Sequence, residues 1–428
     1  MARLNYQSSV LLPHRRARQL CDSTSAACSV ILVAIFPKPS WRFPMRVVST
    51  TLAALLLSSM SFLAAPAPQS TGLPAQITDK EFWRLFTEFS EPGGSYPYEN
   101  FITNEETIQD VMPVLTKVTK PGGVYLGVGP EQNFTYVSGL KPGMAFIFDI
   151  RRQNAIQHLM YKAIFEMSPT RADFVSHLFS IKTADKVPTT ARANGLFLAF
   201  DGLKGDKAYY TQNLAAIKSN LSKHGFALSP DDVQKVEFIY DVFFRAGPQI
   251  DYKFESAFPP NMAPAPNYIQ AMSDTDADKK AWSFLASEEN YQVVRQLQMK
   301  NLFIPIVGDF SGPTAIRKVA EYVRQHNAIV SAFYISNVEY YLGTAAGRGN
   351  DATVQRFYAN VATLPVDTSS MFIRFVGSSN SRNLTWWKGS WLQSVSPIID
   401  VRDKVRAGEA LTFERALQMV PDPSTLMR

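Results

Sequence analysis

The sequence predicts an α/β protein: a Rossmann-like, doubly wound sheet carrying a large helical insertion. Three observations predict it. Short apolar runs bounded by turn residues (Val124–Gly127, Met144–Phe148, Leu302–Val307, Ala328–Ile335, Met371–Val376) have the length of buried parallel strands. Helical patterns lie between them, which is the alternation of a wound sheet. The first two runs also form a strand–glycine turn–helix–strand–acid unit, with Gly129 twenty residues before Asp149.

Composition narrows the function classes. The chain has 428 residues, 46% hydrophobic and 19% charged, which excludes a disordered or fibrous protein. Its formal charge of +6 is unevenly placed: seven of the 43 bases and one of the 37 acids fall in residues 1–67. The remainder carries 36 of each, so a nucleic-acid partner held by bulk charge is not expected. Both cysteines, Cys21 and Cys28, also lie in that leader, leaving the body without a disulfide, a thiolate nucleophile or a cysteine metal ligand.

Taken in order, residues 1–44 are Arg-rich and irregular, and we read translation as starting at Met45. From Met45-Arg46 the apolar run Leu52–Leu57, then Met60–Leu63, leads to small residues at Ala64–Ala67. That is the pattern of a secretory signal over 45–67. The expected location is periplasmic or secreted. An uncleaved anchor over Val47–Ala65 is the alternative, and the only membrane contact expected. A Pro/Ser/Gly linker (68–77) precedes one domain, 78–428.

Thr78 to Glu81 has capping-box spacing and starts a helix to about Phe89. A Gly/Pro/Tyr loop (Glu91–Asn100) leads to Thr103-Asn104-Glu105, which reads either as the N-cap of a second helix reaching Val118 or as a lid entering a site. Lys120–Gly123 and Lys141-Pro142-Gly143 are turns that bracket the first strand and its helix, and a helix over about Gln153–Glu166 follows the second strand. Residues 167–300 read as a mostly helical insertion (Ala172–Ser180, Lys207–His224, Ser229–Phe244, Asp278–Lys300) broken by a Pro-rich loop at Phe258–Pro266. Strand and helix then alternate again, and the chain closes with a Trp-rich loop (Trp386, Trp387, Trp391) and a helical tail.

The glycine turn is suited to a ligand, because glycines admit close backbone approach and the following helix offers unpaired N–H groups. A dinucleotide turn would want a third glycine where Gln132 stands, and no Gly-Lys-Ser/Thr phosphate loop exists. What remains resembles the first motif of class I S-adenosylmethionine-dependent methyltransferases. That resemblance, over about 100–165 and 300–345, implies that Gly127 and Gly129 line S-adenosylmethionine, that Asp149 takes its ribose, and that Asp309 faces the reacting methyl. Glu131, Gln132 and Asn133 depart from the small residues usual there, and either bind the ligand or block the pocket. Arg151 pairs with Asp149 or meets an anionic ligand.

Asn337, Glu339 and Tyr340 follow a strand end on the ligand side of such a sheet. A carboxylate and a phenol there could do acid–base work, or simply cap the next helix. His158, His177, His224 and His326 show no paired spacing. They read as surface or packing residues, and no metal is expected. No Gly-x-Ser-x-Gly elbow is present, which disfavours an α/β-hydrolase. The chain is also similar to an uncharacterised family of bacterial proteins sharing Gly123–Asn133 (GVYLGVGPEQN), a resemblance that extends to Val307–Phe310 and Phe333–Glu339. It supports the fold and supplies no activity.

Three readings stand open. One is a methyltransferase, which conflicts with export because its cofactor is cytosolic. The second is an exported, secreted or periplasmic protein that keeps the scaffold for a different ligand or for non-catalytic binding. The third is an enzyme of another class using Glu131, Asp309 and Glu339.

Overall fold

The computed structural model describes residues 72–428 apart from 184–186, 256–264, 345–348, 378–391, 423–424 and 426–428. By contacts the chain divides after Phe62, and every described residue belongs to the unit Leu63–Arg428. The leader, the signal, the first part of the linker, most of the Pro-rich loop and the Trp386, Trp387, Trp391 cluster fall outside the described residues.

Six strands form one sheet: β1 (Val124–Val128), β2 (Met144–Asp149), β3 (Phe303–Val307), β4 (Val330–Ser336), β5 (Met371–Val376) and β6 (Leu392–Pro397), in the order β3-β2-β1-β4-β5-β6. The first five are parallel, as their near-continuous burial requires, and β6 runs antiparallel to β5. Strand β6 was not legible in the sequence, because Leu392–Pro397 alternates serines with apolar residues rather than forming an apolar run.

The helices are α1 (Asp79–Glu88), α2 (Met112–Val118), α3 (Gln132–Leu140) and α4 (Arg152–Met167), then α5 (Arg171–Phe179), α6 (Ala193–Leu198), α7 (Lys207–Lys223), α8 (Pro230–Ala246), α9 (Tyr268–Ser273) and α10 (Glu288–Met299) in the insertion. After β3 come α11 (Ala315–Gln325), α12 (Val338–Gly343), α13 (Asp351–Val361), α14 (Ile398–Arg406) and α15 (Phe413–Gln418). Their starts follow from capping chemistry. Thr78 accepts from Glu81 N, and full capping boxes open α5 (Thr170, Asp173) and α8 (Ser229, Asp232, with Pro230 at the first position).

Two predicted helices are shorter than expected. The second begins at Met112, not near Thr103, because Thr107 takes a left-handed backbone (φ 60°) and residues 103–105 are bonded elsewhere. The one drawn over Asp278–Lys300 starts only at Glu288. Asp276 instead accepts from Lys280 N and Trp282 Nε1, closing a turn before the Ser287 cap.

Side-chain alternation shows helices on both faces. Register pairs Ala145 with Phe303 and Phe146 with Ile304, so Phe303 and Phe146 point oppositely. Phe303 meets Phe134 of α3 and His158 of α4, whereas Phe146 meets Tyr322 of α11, and Phe333, in the same row, meets Phe357 of α13. This is the doubly wound arrangement, with the reversal of strand order at β1 and β4.

The insertion packs back on α4 through α5, α7 and α8. At that seam Arg152 makes a two-pronged pair with buried Asp232, at 2.7 and 2.9 Å. Nearby, His224 donates one ring nitrogen to Glu166 and the other to Asp79, both at 2.8 Å, while buried Lys162 donates to Glu166 and to the carbonyl of Gln298.

Candidate functional site: the crevice at the carboxyl edge of the sheet

Ligands of wound sheets sit outside the carboxyl ends of the strands, at the reversal point. There Gly129, with φ 76°, donates its N–H to the carbonyl of Phe148 at 3.2 Å, which sets the glycine turn against Asp149 at the end of β2. So the chain does bring the turn and the acid together. What fills the turn, however, is its own side chains. The Asn133 amide donates to the carbonyls of Val128, Gly129 and Pro130 at 2.8–3.2 Å and accepts from Tyr125 at 2.9 Å. A Cβ at Gly127 would collide with Asn133 Oδ1, so the glycine is needed for this internal contact. Gln132 reaches the Val128 carbonyl and the Tyr334 hydroxyl.

Glu131, at the α3 start, is wholly buried. One oxygen accepts from Thr103 N at 3.1 Å and the other has no partner among the described residues. Burial pushes its pKa up to about 8, against the smaller pull of the Thr103 bond, so at neutral pH it is mainly a neutral acid. Asp149 is also raised by burial, although Arg151 opposes the shift. Its carboxylate accepts from Arg151 N at 2.8 Å and lies 3.6 Å from the guanidinium. Arg151 in turn donates to the carbonyl of Tyr98 and to Glu99, and lies over the ring of Tyr96.

The remaining sequence candidates are placed apart from the turn or are occupied. Asp309 accepts from Ser311 N and Oγ at 2.8 and 2.9 Å, an arrangement that closes its own loop. Glu339 is buried in a two-pronged pair with Arg374 at 2.7 and 3.1 Å and accepts from Tyr358, so its carboxylate is spent on the β4–β5 joint. Asn337 makes no side-chain cap at α12 and accepts from Ser336 Oγ. Tyr340 packs its ring on Phe413 and Tyr341.

Sequence reasoning missed two residues and undervalued a third. His158 is 1% exposed, and its Nε2 lies 2.9 Å from the carbonyl of Gly129. Asn154, one turn earlier on the same face, is equally buried with neither side-chain atom partnered among the described residues. An i, i+4 pair of polar residues among the apolar positions of α4 was the available signal. Glu105 was named only as part of a cap or lid. It is buried, accepts from Ser336 Oγ and Gln393 Nε2, and has its pKa raised by burial.

Glu105 belongs to a longer feature. Residues 90–107 lie as a strap across the sheet's carboxyl edge and touch the strand ends in their spatial order. Ser90 and Glu91 pair with Val307 after β3, and the Glu91 carboxylate also accepts from Asp309, Thr314 and Ala315 amides. Gly94 donates to Ile150 beyond β2. Phe101 accepts from Gln157, Thr103 donates to Glu131 beyond β1, and Glu105 bonds to Ser336 of β4 and Gln393 of β6. The strap thus occupies the place where a ligand would lie. Among the described residues no group of three or more His, Cys, Asp or Glu side chains could hold a metal, and no helix is long and apolar enough to cross a membrane.

A family model described as a domain of unknown function (DUF7790) matches residues 100–420. Comparison with curated proteins finds no match.

Proposed function

The chain belongs to the DUF7790 family, and from the geometry of its crevice we propose that it is an exported protein that uses a Rossmann-like scaffold to bind a small molecule other than S-adenosylmethionine. The observation that carries this reading is the occupied glycine turn. Asn133 spends its whole amide on the carbonyls a cofactor would pass, Gln132 stands beside it, and Asp149 is engaged by Arg151. As folded, these residues do not fit S-adenosylmethionine. Export follows from the signal read at 45–67 and agrees with a ligand that need not be a cytosolic metabolite.

A second reading, a methyltransferase-type sheet with retained cofactor binding, is favoured by one contact: the Gly129 N–H to Phe148 bond that sets the turn beside Asp149. It requires both the strap and Asn133 to move. Calorimetric titration of the purified chain with S-adenosylmethionine and S-adenosylhomocysteine separates the two. The expected result is no heat of binding. Micromolar binding that disappears in Asp149→Ala would overturn the first reading in favour of the second. Export has its own test, an alkaline-phosphatase fusion after residue 70, which must be active.

A further inference from the structure

Glu131 stands at the start of α3 under the strap's Thr103, His158 of α4 reaches the Gly129 carbonyl of the glycine turn, and Asn154 lies one helical turn before His158 on the same face. Asn154 and His158 share one face of α4 with Tyr161, at i, i+4 and i+7, and that face packs on Phe134 of α3. Glu131 is close enough to add, after burial, to the upward pull on the Tyr161 hydroxyl. The three side chains are buried, yet Glu131 Oε2, both polar atoms of Asn154 and His158 Nδ1 have no partner among the described residues.

The hydrogen-bonding character of each follows from chemistry. A carbonyl only accepts, so His158 must carry its proton on Nε2, facing Gly129; Nδ1 is then a bare acceptor. Burial holds this ring neutral, with a pKa lowered to about 4. Glu131, protonated at neutral pH, can donate from Oε2, and Asn154 offers one acceptor and a donor pair. No member of the set is charged, and the guanidinium of Arg151, just before α4, is engaged by Asp149 and Glu99. A carboxylate, phosphate or ammonium ligand would be desolvated here without a counter-charge, which disfavours it.

The strap shows what does fit. It presents peptide groups to this wall: the Phe101 carbonyl accepts from Gln157 at 2.6 Å, and the Thr103 N–H donates to Glu131 Oε1 at 3.1 Å. What is left over, beside Gln132 Oε1 and the Tyr268 hydroxyl, offers a partner to both halves of an amide. An N–H would satisfy His158 Nδ1 or Asn154 Oδ1, and a C=O would satisfy Glu131 or Asn154 Nδ2. We propose that Glu131, Asn154 and His158 form an amide-recognition site, which the strap covers as an internal peptide, and that the ligand is an uncharged peptide-like molecule that displaces residues 101–105. This rests on the binding reading above and names its ligand class.

The test uses N-acetyl-alanyl-alanine amide as the probe and the purified chain, followed by calorimetry and by hydrogen exchange over residues 101–105. Saturable binding is expected, with faster exchange of the strap in the complex. Glu105→Ala removes the bonds to Ser336 and Gln393, so a larger fraction of molecules has the strap lifted and the probe should bind about tenfold tighter. Asn154→Leu should lose the probe in both backgrounds without lowering the denaturation midpoint. Absence of saturable binding to both the native chain and Glu105→Ala overturns the proposal, as does unchanged binding to Asn154→Leu. If Glu105→Ala fails to fold, the native chain decides alone: strap exchange that saturating probe leaves unaltered is also a refutation. Binding of S-adenosylmethionine would instead overturn the reading beneath it, so the two failures are distinct.

Discussion

Two buried polar regions lie at opposite ends of α4, and they are built differently. At the far end, where the insertion meets α1, every charged group is answered. His224 is clamped between Glu166 and Asp79, Lys162 lies between Glu166 and the Gln298 carbonyl, and Asn301 donates to Asp79 and to the carbonyl of Ile77. At the near end, around the glycine turn, the groups are neutral: Glu131, Gln132, Asn154 and His158 are as deeply buried and each retains an atom without a partner among the described residues, as Asn301 Oδ1 and both side-chain atoms of Gln298 also do at the far end. The first region holds elements together. In the second, neutral polar groups keep bonding capacity that the closed fold uses only in part, which is how binding sites depart from the rule that buried polar groups are satisfied.

If that contrast is right, damage to the seam costs most. Glu166→Ala would leave buried Lys162 without its carboxylate and partly buried His224 with Asp79 alone, and should destabilise the chain by about 3–5 kcal/mol. A fall in the denaturant midpoint at unchanged slope measures it. A loss below about 1 kcal/mol would mean that the seam is a surface pair and not a buried lock.

The seam should also show in the pH dependence of stability. Its hydrogen bond to Glu166, opposed by burial, raises the pKa of His224 above the ordinary histidine value. Burial alone would raise Glu166, but His224 and Lys162 hold it below the ordinary carboxylate value. The signs then follow. The His224 contribution is complete below about pH 6.5 and is lost as pH rises through its folded pKa. The Glu166 contribution is complete above about pH 4.5 and is lost as pH falls through its own. The two overlap in a mildly acidic window. The stability difference between the native chain and His224→Gln should peak there, at about 1–3 kcal/mol for a bond to a charged group, and shrink on both sides. A difference independent of pH would show that His224 is not an imidazolium in the fold.

How far the sequence foretold these regions depends on the range of the interaction. The five parallel strands and the glycine turn were legible because apolar runs and turn residues are local signals, whereas β6 lacks an apolar run. Asp149 was legible because its offset from Gly129 is fixed by one strand–helix–strand unit. Neither polar region was legible. His224 meets residues 58 and 145 positions away, and Thr103 meets Glu131 across 28. The strap was half-seen: Thr103–Glu105 reads as an N-cap locally, and only the pull of Glu131, Ser336 and Gln393 keeps it from becoming one. Asn133 and Gln132 stood out as too large for a ligand turn. Which ligand they serve or exclude turns on carbonyls that no pattern displays.

At the crevice the signs reverse. Burial raises Glu131 to about 8, so the fold holds a proton that the unfolded chain releases near pH 4.5. Its stabilising share is complete below pH 4.5 and is lost as pH rises to about 8. Glu131→Gln keeps the Thr103 bond and cannot ionise. Its advantage over the native chain should be near zero at pH 4.5, grow to roughly 3–5 kcal/mol by pH 8 and then level off. A flat difference would mean that Glu131 is solvated, and that the strap does not seal the site.

The smallest expected effect is the most discriminating. Asn154→Leu replaces a buried amide that lacks partners among the described residues with an apolar side chain of similar volume. A completed hydrogen-bond network loses stability on such a change, because the groups left behind are orphaned. An incomplete one has nothing to orphan, and removal of the unmet polar group should raise stability by about 1 kcal/mol. The denaturant midpoint of Asn154→Leu should therefore hold or rise, while Glu166→Ala at the other end of the same helix falls steeply. A comparable fall in Asn154→Leu would indicate that an internal water completes the crevice. The two ends of α4 would then differ in partner and not in kind, and the amide-recognition site would lose its physical basis.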